Sequence, residues 1–119
     1  MKKTLVLGAT ENPNRYAYRA AHSLLSHGHE IALVGIRKGE VAGQPIINEK
    51  TPVIGIDTVT LYVGPHNQPE WYDYILSLRP RRIVFNPGTE NPELKRMANT
   101  QGIQILEACT LVMLETNSY

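Results

Sequence analysis

Short apolar runs recur along the chain, each too brief for a helix. They fall at Thr4–Gly8, Glu30–Ile36, Thr58–Val63, Arg82–Phe85 and Ile103–Leu106. Runs of this kind are the pattern of strands buried on both faces of a parallel sheet. Between them the apolar period lengthens to that of a helix. Tyr16, Ala17, Ala20, Ala21, Leu24 and Leu25 share a stripe that Gly28 closes, and Trp71, Tyr74, Ile75 and Leu78 share another within Glu70–Leu78. A third, with Leu94, Met97 and Ala98, lies within Asn91–Thr100, where Asn91 suits the cap and Pro92 the first helical position. The final apolar run, Leu111–Leu114, is read as a last strand or as the seal of a homodimer.

Strand and helix therefore alternate. The pattern predicts one α/β domain over residues 1–119, a Rossmann-like fold with a mostly parallel sheet of five or six strands and helices on both faces. A chain of this length fits one core and not two. Gly and Pro gather between Gly35 and Gly55 and again between Pro87 and Pro92, which marks those stretches as loops. Ligands of such sheets bind outside the carboxyl ends of the strands, near the point where strand order reverses. The residues after each strand are accordingly the ones to read for chemistry.

The first of these loops runs Gly8-Ala9-Thr10-Glu11-Asn12-Pro13-Asn14-Arg15-Tyr16. Gly8 lets the backbone turn close to a ligand, and the helix that follows offers free N–H groups and a positive dipole end. Thr10 and Arg15 add donors for a pyrophosphate, while Asn12 or Asn14 is the alternative, a simple cap. The dinucleotide fingerprint G-x-G-x-x-G is absent, because Thr10 and Pro13 stand where glycines are required. The second loop, Gly35-Ile36-Arg37-Lys38-Gly39, carries cations where an NAD site has an acidic residue for the ribose. A ribose phosphate suits it, whether the 3′-phosphate of coenzyme A or the 2′-phosphate of NADP. The third loop presents Val63 and Gly64 as a flat apolar edge for an adenine or a pantetheine arm, and the fourth presents Asn86 and Gly88 as pocket-lining positions.

Composition narrows the partners. Twelve basic and eleven acidic side chains leave a net charge of +1, so no global field draws the chain to nucleic acid or to an acidic membrane. The basic start, Met1-Lys2-Lys3, precedes an apolar stretch too short for a signal peptide or a membrane span, which places the protein in the cytoplasm. The single cysteine, Cys109, forbids an internal disulfide and is read as a packed core thiol. His22, His27, His29 and His66 lack metal-ligand spacing, and neither a nucleophile elbow nor a P-loop occurs. No catalytic or metal-binding residue is assigned.

With Gly8-Ala9-Thr10, Pro13, Arg15, Tyr18, the Val34–Gly39 loop, Gly43, Val63-Gly64, Asn86-Pro87-Gly88, Asn91 and Cys109 in place, the chain resembles the small stand-alone CoA-binding proteins. These are similar to the CoA-binding domain of the succinyl-CoA synthetase alpha subunit. The likeness spans nearly the whole sequence. It implies that Gly8, Ala9, Thr10 and Arg15 face the pyrophosphate, that Lys38 answers the lysine near the nucleotide phosphate, and that Val63 and Gly64 line the adenine or pantetheine path. The chain departs from the family at Ile36, near a position often held by proline, and at Asn86, where glutamine is expected. The synthetase's phosphorylated histidine lies in a second domain that has no counterpart here, so the resemblance implies coenzyme A or acyl-CoA binding without catalysis, as a sensor, carrier or partner subunit. Two alternatives stay open: a small NADP-dependent or other nucleotide-dependent enzyme, and a protein-interaction module with a decayed pocket.

Overall fold

A computed structural model describes all 119 residues. Its strands are β1 (Thr4–Leu7), β2 (Ile31–Val34), β3 (Glu40–Val41), β4 (Gln44–Ile47), β5 (Thr58–Leu61), β6 (Arg82–Phe85) and β7 (Gln104–Glu107). The helices are α1 (Tyr16–Ser26), α2 (Tyr72–Ser77), α3 (Pro92–Thr100) and α4 (Thr110–Glu115), and two single turns of 3-10 helix, Pro65–Asn67 and Pro69–Trp71, lead into α2. All seven strands join in one sheet of order β3-β4-β2-β1-β5-β6-β7. Every pairing is parallel except β3 with β4.

The two faces of the sheet follow from the two-residue period of a strand. Leu5 and Leu7 of β1 point to a core with Leu61, Phe85, Trp71, Ile75, Leu94 and Ala98, which α2 and α3 cover. Val6 points the other way, to Ala17, Ala21, Leu24, Leu33 and Leu114, under α1 and α4. The chain leaves β1 for β2 on one side and returns for β5 on the other, so strand order reverses between β1 and β5.

Two expectations need correction. The sheet has seven strands, not five or six, because the stretch read as loop between Gly35 and Gly55 holds the antiparallel pair β3 and β4. Ala42 (φ 53°) and Gly43 (φ 80°) form the turn between them, both in the left-handed region that the tightest hairpin connection requires. Strands of two and four residues interrupted by Pro45 carry too little pattern to be seen. The Leu111–Leu114 run is helical and not a last strand: Thr110, Met113 and Leu114 are buried while Val112 is 54% exposed. Four consecutive apolar residues do not distinguish the two periods; the burial pattern does.

Candidate functional site

The loops at the carboxyl edge of the sheet are locked to one another mainly through backbone. Gly8 and Ala9 both donate to the Val34 carbonyl, at 2.9 and 3.0 Å, which joins the first loop to the end of β2. Gly35 lies so close beneath the first loop that a Cβ there would stand 2.3 Å from the Ala9 carbonyl oxygen. On the other side, a Cβ on Gly8 (φ +97°) would meet the Tyr62 carbonyl oxygen at 2.8 Å. Three loops thus converge on Gly8 at the reversal of strand order, where an α/β sheet places its ligands.

Within the first loop the Thr10 hydroxyl accepts the Asn12 N–H at 3.2 Å, and the Asn12 side chain accepts the Asn14 N–H at 3.0 Å. Neither asparagine caps α1. Arg15 holds the N-cap position and no side chain bonds to the first turn, so its N–H groups stay open at the mouth of the loop. Pro13, Arg15 and Tyr16 are exposed, Tyr16 to 64%. Ala9 instead turns its methyl into the core under α1.

The second loop projects outward with Ile36, Arg37 and Lys38 all exposed. The molecule's three ion pairs join Lys3 to Glu30, Arg82 to Asp57 and Lys95 to Glu107. Arg15, Arg37 and Lys38 are in none of them. Three unpaired cations therefore flank the loops that meet at Gly8. One carboxylate is also present: Glu11 reaches from the first loop and accepts the Glu40 N–H at 3.2 Å, against the backbone of Gly39.

The third and fourth loops are braced from beneath by buried polar side chains. Gln68 is fully buried, donates to the Val63 and Thr89 carbonyls at 2.9 and 2.8 Å, and accepts from Asn91 at 2.8 Å. Asn91 in turn caps α3 through the Glu93 and Leu94 N–H groups. Asn86 does not line an open pocket. It is buried, donates to the Thr60 hydroxyl and the Leu61 carbonyl, and accepts the Thr110 N–H, so its amide ties β5, β6 and the start of α4 together. Val63 is half-buried, while Gly64 and Gly88 are exposed with open space where a Cβ would be. Tyr62 was not foreseen. Its hydroxyl lies near Thr60, Thr110 and Cys109, has no well-formed hydrogen bond, and burial pushes it up to about 12. Gln68 gave no signal in the sequence either, since a lone glutamine between prolines reads as surface.

The comparisons with known proteins fall on this geometry. The model of the CoA binding domain family matches residues 2–115. The chain belongs to that family. A crystal structure of an uncharacterized protein is similar at 57% identity over 100% of this chain and 98% of the other, with a TM-score of 0.98. A hypothetical protein from Pyrococcus horikoshii OT3 is similar at 26% identity, over 97% and 82% of the two chains, with a TM-score of 0.83. A protein from Thermus thermophilus shares the fold at 23% identity, over 99% and 90%, with a TM-score of 0.82. No curated protein matches the chain. No helix is long and apolar enough to cross a membrane.

Proposed function

We propose that this CoA-binding-family domain holds coenzyme A or an acyl-CoA across the carboxyl edge of its sheet, and that it serves as a sensor, carrier or partner subunit with no chemistry of its own. The observation that carries the reading is the set of unpaired cations, Arg15, Arg37 and Lys38, on two loops joined through Gly8, Ala9 and Gly35 at the reversal of strand order. A pyrophosphate over the uncapped start of α1 meets backbone N–H groups, the Thr10 hydroxyl and Arg15. The nucleotide's ribose phosphate then falls to Arg37 and Lys38, and the pantetheine arm follows Val63, Gly64 and Gly88. Ile36 and Tyr16 supply exposed apolar surface on either side of the phosphate loops. Asn86 shapes the fourth loop from below and makes no contact with the ligand.

The test is a thermal-shift titration with coenzyme A, acetyl-CoA, dephospho-CoA, NADP and NAD, repeated on Arg15→Ala and Lys38→Ala. A ligand at a hundred times its Kd that binds only the folded state stabilises by about 2.7 kcal/mol. The expected result is such a shift with coenzyme A, reduced without the 3′-phosphate and reduced in Lys38→Ala. A shift with NADP alone would replace this reading by a nicotinamide-dependent one, and no shift with any of the five would reject a nucleotide site altogether.

A further inference from the structure

The acidic residue of the phosphate loop stands out among the cations. Glu11 is exposed and forms no ion pair, yet its carboxylate is not free in solvent. It crosses from the first loop to the second, where Oε2 accepts the Glu40 N–H at 3.2 Å. Gly39 makes the approach possible, for a Cβ there would lie 2.8 Å from both Cδ and Oε2 of Glu11. Glu40 begins β3 one residue beyond Gly39, so the bond fixes the far end of the segment that carries Arg37 and Lys38. The near end is already fixed, because Gly35 packs on the Ala9 carbonyl and donates to Ile47 at 3.0 Å. Between those anchors only Ile36, Arg37 and Lys38 are unrestrained.

Resting on the reading of the site as a coenzyme A site, we infer that Glu11 is a specificity-determining positioning residue. It clasps the ribose-phosphate loop to the pyrophosphate loop and so sets the preference for ligands that engage both. A ligand with a 3′-phosphate bridges the two loops and gains from their fixed separation; one without it touches the first loop alone and gains nothing. A carboxylate at the mouth of an anion site repels each phosphate according to its distance, so its presence there calls for a compensating role of this kind.

The experiment measures Kd for coenzyme A and dephospho-CoA by calorimetry in the wild type, Glu11→Ala, Glu11→Gln and Gly39→Ala, with amide hydrogen exchange at Glu40 in the same proteins. Glu11→Ala is expected to lose about tenfold in affinity for coenzyme A, the scale of one hydrogen bond to a charged group, with little change for dephospho-CoA. Glu11→Gln keeps an acceptor and is expected to retain most of the preference. Gly39 does not have a left-handed φ, and an added Cβ there meets only the end of the flexible Glu11 side chain, so Gly39→Ala is expected to displace that side chain and reproduce Glu11→Ala with the charge intact. Exchange at Glu40 is expected to quicken in Glu11→Ala and Gly39→Ala with or without ligand. Equal losses for both ligands, or tighter coenzyme A binding in Glu11→Ala, would overturn the specificity role. Unchanged Glu40 exchange in that variant would overturn the clasp. Failure of the wild type to bind either ligand would instead overturn the reading of the site and the specificity with it, while the exchange data still decide the clasp.

Discussion

Gly8 and Gly88 separate two costs that are usually entangled. Both have positive φ, +97° and +92°, so an alanine at either position is strained in a similar way. At Gly88 nothing lies within 4 Å of the added methyl. At Gly8 the methyl meets the Tyr62 carbonyl oxygen at 2.8 Å, its carbon at 2.9 Å and the Val63 side chain at 3.2 Å. The backbone there has little room to retreat, since the Tyr62 N–H is bonded to the Leu7 carbonyl at 2.8 Å just past the end of β5. The left-handed backbone costs about 1–2 kcal/mol at either site. Overpacking against fixed backbone adds about 1–3 kcal/mol at Gly8 alone. Gly8→Ala is therefore expected to lose about 2–5 kcal/mol and Gly88→Ala about 1–2 kcal/mol. With a urea slope of about 1–3 kcal/mol per molar, the two midpoints should differ by roughly 1 M. Coincident midpoints would refute the close approach of the first and third loops on which the site is built.

Tyr62→Phe removes a buried hydroxyl that has no well-formed partner and is expected to be close to neutral at pH 7. Its effect belongs to alkaline pH. The folded-state phenol is raised from 10 to about 12, so the stability it contributes is fully present below pH 10 and is lost as pH rises to 12. Urea titrations across that window should show the wild type falling by about 2–3 kcal/mol more than the variant, and parallel curves would contradict the burial of the hydroxyl. Asn86→Ala leaves the Leu61 carbonyl and the Thr110 N–H without their partner, at a cost of about 3 kcal/mol; a loss under about 1 kcal/mol in urea would deny the brace its role.

The inner strands of the sheet were legible because they are buried on both faces and so read as short runs of mostly apolar and β-branched residues. The segments 82–85, read directly, and 58–61, inside a longer run, are cases in point. The third helix was legible through its cap and proline, and the asparagine at 91 does accept the expected N–H bonds. The glycine of the first loop was legible as a close-approach position, but not its reason: the crowding comes from Tyr62, far along the chain, and only the sheet order brings the two together. The hairpin at residues 40–47 and the final helix were illegible for lack of length. The bracing amides, Gln68 and Asn86, were illegible because a buried polar side chain is defined by its partners, and those of Asn86 come from two separate elements, β5 and α4. The sequence also drew attention to Asn12 and Asn14 as caps, whereas their side-chain and backbone bonds shape the loop and leave the helix start open.

The most direct test of the account maps the ligand onto the edge it is assigned. Amide chemical shifts of the isotopically labelled protein, followed during titration with coenzyme A, should move first and furthest at Gly8–Arg15 and Gly35–Lys38, with smaller changes at Val63 and Gly64. Amides at the opposite edge, around Lys2 and His29, should stay still. Shifts centred on that opposite edge, or none at any concentration up to saturation of a control CoA binder, would contradict a nucleotide site at the reversal of strand order.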